Sequence, residues 1–122
     1  FAERMLVVGG GELGELAIWL FQRSAFSHLF GVVGVVDDDA RKQDLRILGL
    51  KVLGSTKEIP RIVEKYHIGY IVFAISNINE ANTRRILEMC RQTPAKTIVI
   101  PDLVKVLEKS FNDMGIETAN GK

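Results

Sequence analysis

Met5-Leu6-Val7-Val8-Gly9-Gly10-Gly11-Glu12-Leu13-Gly14-Glu15-Leu16 is the stretch that decides the fold. Four apolar residues in a row read as a strand covered on both faces. The glycines that stop it are spaced Gly9-x-Gly11-x-x-Gly14. Helical periodicity starts directly behind them, with Leu13, Leu16, Ala17 and Leu20 on one expected inward face. Strand, G-x-G-x-x-G turn and helix in that order open a dinucleotide-binding unit. The first glycine permits the tight turn, the second lets a pyrophosphate approach the backbone, and the third lets helix and strand pack closely. Gly10, Glu12 and Leu13 lie within the same turn, where the free N–H groups of the helix favour an anion. Glu12 and Glu15 compete for that helix dipole. The same glycines also serve plain helix–strand packing around an empty crevice, and the motif alone leaves that reading open.

Outward from the turn, Val32–Val36 is a second strand, followed by Asp37-Asp38-Asp39. Asp37 stands roughly 20 residues beyond the third glycine, where a carboxylate accepts from the ribose hydroxyls and favours NAD over NADP. Asp38 is placed beside it. Adjacent carboxylates diverge, and no EF-hand spacing accompanies them, so a solvated turn is expected there rather than a metal site. Arg41, Lys42 and Arg46 are set to neutralise the aspartates or to reach a ligand phosphate. Lys51–Leu53 is a third strand. Ser55 and Glu58 have capping-box spacing, and Pro60 restarts a helix whose inward residues are Ile59, Ile62, Val63 and Tyr66. Tyr70–Ile75 is a fourth strand. Ser76 and Asn77 end it on the carboxyl edge where doubly wound sheets bind ligands, and they serve equally well to cap the next helix. That helix spans Asn77–Gln92 with Thr83, Ile86, Leu87 and Cys90 inward. Thr97–Ile100 is a fifth strand, Asp102 caps a short helix through Lys109, and residues 112–122 form a loose tail.

Alternating strands and helices imply an α/β fold: a doubly wound, Rossmann-like parallel sheet of about five strands in the order 3-2-1-4-5. The chain has 122 residues, enough for one domain, expected over residues 1–111. Sixteen basic and 15 acidic residues leave a net charge of +1, which offers no basic stripe for nucleic acid. The longest apolar run, Tyr70–Ile75, falls far short of the ~18 residues of a membrane span. The single cysteine excludes an internal disulfide and fits a reducing compartment. The first residue is Phe, so the sequence is expected to begin inside a longer chain or after processing. No Tyr-x-x-x-Lys pair, nucleophile elbow or Walker lysine is found, and no catalytic residue is assigned. Trp19 and Phe21, in a helix apolar nearly all round, are candidates for contact with another subunit.

Three blocks in order carry a family resemblance: Gly9-Gly10-Gly11-Glu12-Leu13-Gly14-Glu15, Val32-Val33-Gly34-Val35-Val36-Asp37-Asp38-Asp39, and Gly49-Leu50-Lys51-Val52-Leu53-Gly54-Ser55. Ile68–Ile75, Arg84–Leu87 and Ile100–Leu103 continue it. The sequence resembles, over about residues 4–110, the cytosolic Rossmann domain of bacterial polysaccharide-biosynthesis proteins, which is itself similar to CoA-binding folds. These proteins are membrane-bound nucleotide-sugar dehydratases and epimerases of the capsular type. Ala40 departs from their usual proline and Gln43-Asp44 from a common glycine. The resemblance implies a middle domain between membrane helices and a catalytic domain of the same parent chain, on the cytoplasmic side of the bacterial inner membrane. By motif match it implies nucleotide contacts at Gly9, Gly11, Gly14 and Asp37; the ligand expected there is NAD(H), or alternatively CoA or a nucleotide sugar. Three other roles stay open: the cytosolic domain of a polyprenyl glycosyl-1-phosphate transferase, an NAD(H)-sensing module, and an empty scaffold for homo-oligomers.

Overall fold

The chain enters a sheet at once, because Met5 to Val8 are fully buried with side chains alternating between two apolar layers. The computed structural model describes residues 2–116. Strands β1 (Glu3–Val8), β2 (Phe30–Val36), β3 (Arg46–Ile47), β4 (Leu50–Gly54), β5 (Tyr70–Phe73) and β6 (Lys96–Val99) form one sheet in the order β3-β4-β2-β1-β5-β6. All neighbours pair in parallel except β3 with β4. Without β3, this is the expected 3-2-1-4-5 order.

Four helices cover the sheet: α1 (Glu12–Arg23), α2 (Ile59–Lys65), α3 (Glu80–Arg91) and α4 (Ile100–Asp113). Leu6, Val8 and Ile71 pack with Ile59, Ile62, Ile86 and Cys90, so α2 and α3 lie on one face. Met5, Val7 and Val72 pack with Ala17, Ile18, Phe21 and Ile100, which puts α1 and the start of α4 on the other. Burial pushes the Cys90 thiol up to about 11, in keeping with a small apolar residue.

Four local expectations need correction. The buried residues of α1 are Gly14, Ala17, Ile18 and Phe21, while Leu16 and Trp19 are 50% and 52% exposed. The cause is Gly14, where a Cβ would overlap the carbonyl of Gly9. That backbone contact turns the glycine toward the sheet and rolls the rest of the helix with it. Helix α3 starts at Glu80, because Asn79 rather than Asn77 caps it, its side chain accepting from Asn82 N–H at 2.8 Å. Helix α4 runs to Asp113, past Lys109, with Asp102 in its first turn and Val99 at its cap. Ile116 N–H still donates to Phe111 C=O at 2.8 Å. Of the tail expected over residues 112–122, residues 117–122 lie outside the described residues.

The strand that went unforeseen is β3. Its hairpin with β4 turns on Leu48 and Gly49, with φ of 49° and 83°. Two positive φ values in a two-residue loop make the turn whose twist matches antiparallel strands. Leu48 is 57% exposed and strained there. Leu48→Asn is therefore expected to raise stability by about 1 kcal/mol, since Asn tolerates the left-handed region. The midpoint of urea unfolding measures it; an unchanged or lower midpoint would contradict the strain.

Candidate functional site

Strand β1 delivers the chain to a turn that only glycine permits. Gly9 has φ of 120°, and a Cβ there would overlap the Ala74 carbonyl at the end of β5. Gly9 N–H donates to Val36 C=O at 2.8 Å, which ties the turn to β2. Gly11 is the N-cap of α1 and offers no side-chain acceptor to the first helical N–H groups. A Cβ on Gly11 would meet nothing within 4 Å. The first turn of α1 thus faces open space, with its amides available to an anion.

The space is a cavity of about 540 Å³ at the carboxyl edge of the sheet. Gly9, Gly10, Gly11, Glu12 and Leu13 line one side, Asp37 and Asp38 come from the end of β2, and Ser76 and Asn77 follow β5. Nine of the ten residues singled out by sequence meet here. Gly14 is not on the wall; it lies beneath, against Gly9. The sequence reading did not place Asn82 and Arg85 of α3 in the site, where they also line it, and Lys42 joins them. Asn82 and Arg85 are three apart at the start of a helix that begins on this edge, a spacing that puts both on one side.

The three aspartates answer to three different partners. Asp37 is mostly covered; its Oδ2 accepts from Gly10 N–H at 2.8 Å and its Oδ1 from Asp39 N–H at 2.7 Å. Lys42 Nζ donates to Gly10 C=O at 3.2 Å and stands 3.8 Å from Asp37 Oδ2. Lysine and aspartate hold the middle glycine from both sides. A carboxylate has about four acceptor positions, so Asp37 keeps capacity for further donors. Asp38 accepts from Thr56 N–H at 2.7 Å and from its hydroxyl, and Arg85 approaches it at 3.9 Å. Thr56 is 1% exposed, the one polar residue buried among those described. Asp39 turns outward to Arg41, whose guanidinium and backbone N–H hold its carboxyl down at about 2. Arg41 is almost fully exposed in that contact, so it is worth little. Its contribution is present above the ordinary Asp range and fades as pH falls toward 2.

Formally, Glu12, Asp37 and Asp38 outweigh Lys42 and Arg85 in this cavity. The arrangement offers carboxylates for hydroxyl groups at the β2 end, amides and two cations for phosphates in the middle, and small polar groups after β5. The wall holds no histidine or cysteine.

Comparison with known proteins gives a consistent picture. Residues 2–101 match a family described as a CoA-binding domain. The chain is 32% identical over 103 residues to the capsular polysaccharide biosynthesis protein CapD of Staphylococcus aureus, covering 84% of this chain and 17% of that protein. It is 27% identical over 106 residues to the probable polysaccharide biosynthesis protein EpsC of Bacillus subtilis, covering 87% of this chain and 18% of that protein. The chain thus spans less than a fifth of the length of these curated relatives. Among solved structures, UDP-D-quinovosamine 4-dehydrogenase from Vibrio fischeri superposes with a TM-score of 0.73 at 18% identity, covering 86% of this chain and 85% of that one. RSP, a Rex-family repressor solved with β-NAD+ and operator DNA, gives 0.62 at 16% identity, covering 93% and 58%. At such identities these two establish the Rossmann-like fold. No helix among the described residues is long and apolar enough to cross a membrane.

Asp38→Ala is expected to cost about 1–3 kcal/mol, because it leaves the buried Thr56 N–H and hydroxyl without their acceptor. Asp39→Ala, one residue on, is expected to cost under about 1 kcal/mol. Urea unfolding of both variants makes the comparison, and equal losses would contradict the division of labour.

Proposed function

The chain belongs to the CoA-binding domain family, and from that premise we propose that its glycine crevice is a nucleotide site, with NAD(H) as first ligand. The observation that carries this reading is the bare turn at Gly11: an uncapped helix start, open space in front of it, and Asp37 on the neighbouring strand end. In this reading the N–H groups of the first turn of α1 hold the diphosphate, assisted by Lys42 and Arg85. Asp37 and Asp38 accept from ribose hydroxyls, and Ser76 and Asn77 meet the part of the ligand beyond β5. Asp37 disfavours a 2′-phosphate by like-charge repulsion. The acidic excess in the cavity opposes the additional phosphate of NADP or CoA in the same way.

The domain then acts by binding rather than by chemistry. It serves a regulatory or structural role inside a longer nucleotide-sugar dehydratase or epimerase of cell-surface polysaccharide synthesis. That parent is membrane-bound, on the cytoplasmic side, and the catalytic groups lie in another part of its chain. The relatedness to CapD and EpsC supports the pathway.

Calorimetric titration with NAD+, NADH, NADP+ and CoA tests the site. The expected result is micromolar binding of NAD+ or NADH, about 8 kcal/mol, with NADP+ at least tenfold weaker. Asp37→Asn keeps an acceptor for Gly10 N–H and removes the charge; it is expected to narrow the NAD+/NADP+ difference. Absence of heat with all four ligands up to about 1 mM would overturn the reading. CoA binding with no NAD(H) binding would keep the site and replace its ligand.

A further inference from the structure

Helix α4 carries an apolar stripe that this chain covers only at its start. Ile100, Val104, Leu107 and Phe111 of α4, with Met114 at its cap, follow one another at alternating intervals of four and three residues. That alternation lays a continuous seam along one side of a helix, the spacing of the inward positions in paired helices. Leu103, one turn before Leu107, borders the same seam. Ile100 is buried and Val104 half-buried in the apolar layer that also holds Ala17, Ile18 and Phe21 of α1. Past Val104 the seam leaves the body. Leu103, Leu107, Phe111 and Met114 are all exposed, and none of them joins either apolar layer among the described residues. The helix is nonetheless closed where the seam ends: Gly115 takes a φ of 76°, and Ile116 N–H returns to Phe111 C=O at 2.8 Å. A helix of this length is marginal in water unless its apolar side is packed.

Three features select what packs on it. The spacing of the seam fits another helix of the same spacing, and a second copy of α4 supplies one; a two-fold axis then sets the seam against itself. Leu103, Leu107, Phe111, Met114 and Ile116 together expose an apolar area on the order of half the ~800 Å² that each partner gives to a standard interface. Leu16 and Trp19 of α1, which covers the same face of the sheet, are exposed as well. The charge of α4 disfavours a lipid surface: Asp102, Glu108 and Asp113 outnumber Lys105 and Lys109, whereas helices that lie on membranes are rich in cations on their polar face. With a net charge of +1 on the chain, two copies approach without strong repulsion.

We propose that α4 is the pairing element of a homodimer, in which the seam of Leu107, Phe111 and Met114 in one protomer packs on the same seam of its partner. The inference is independent of the nucleotide reading, since no residue of α4 lines the glycine cavity. A seam of about two heptads is short, so the expected dissociation constant is on the order of 10 μM.

Sedimentation equilibrium of the 122-residue chain between about 1 and 200 μM tests it. The expected result is a monomer–dimer equilibrium that reaches twice the chain mass at the top of this range. Leu107→Lys and Phe111→Lys each place a cation in the seam, and each is expected to weaken dimerisation at least about tenfold. Val106→Lys is the control: Val106 is more exposed than Leu107, 61% against 47%, but lies off the seam, and the expected change is less than about threefold. Circular dichroism checks that the variants are folded; should a lysine variant fail to fold, Leu107→Ala and Phe111→Ala carry the same direction of change. No sedimentation with vesicles of phosphatidylcholine and phosphatidylglycerol is expected. A monomer throughout the range overturns the inference, as does a dimer that survives both seam substitutions or weakens equally in all three variants. Binding of a monomeric chain to the vesicles, lost in Leu107→Lys, overturns it too and assigns the seam to lipid.

Discussion

The contact between Gly14 and the carbonyl of Gly9 governs much of this molecule. It is a contact of backbone on backbone, with no side chain that can swing aside. Because it fixes which residue of α1 faces the sheet, it fixes the roll of the whole helix. Ala17, Ile18 and Phe21 go inward as a consequence, and Leu16 and Trp19 are left outside. It also holds the start of α1 close to the end of β1, which is what brings the first helical amides to the mouth of the crevice. A larger residue at position 14 would push the helix off the sheet and withdraw those amides together.

Around this fixed turn the charged residues act mainly as ties. Asp37 and Lys42 hold Gly10 from its two sides. Asp38 joins the end of β2 to Thr56 and approaches Arg85 of α3. The segments that border the crevice are thus cross-linked through carboxylates in addition to their apolar packing. The glycine turn supplies backbone on one side of β5, and α3, β6 and α4 supply aliphatic and charged side chains on the other.

Much of this was legible in the sequence, and the failures have physical causes. Continuous apolar runs marked the long parallel strands, because a strand covered on both faces has nothing to alternate. Ser55 and Glu58 announced a capping box that the structure contains in full. The inward face of α1 was misjudged because counting apolar residues is blind to a glycine that must face the sheet. The two-residue β3 has too little pattern to detect, and Leu48 in a left-handed turn gives no signal of the usual Asn-Gly kind. Asp38 with Thr56 was invisible because the partners are 18 residues apart, and Arg85 because only the fold brings α3 to the end of β2. The glycine turn, Asp37, Asp38, Ser76 and Asn77 were legible because motif and sheet edge place them together.

The account stands most directly on Gly14. The decisive measurement is the urea unfolding free energy of Gly14→Ala beside Gly31→Ala. Gly31 is a strand glycine whose added Cβ would meet only Ala2, at 3.9 Å. The account predicts a loss of about 3 kcal/mol or more at Gly14, since the backbone it meets cannot repack, and under about 1 kcal/mol at Gly31. Equal and small losses at both positions would show that the Gly9–Gly14 contact does not set the position of α1.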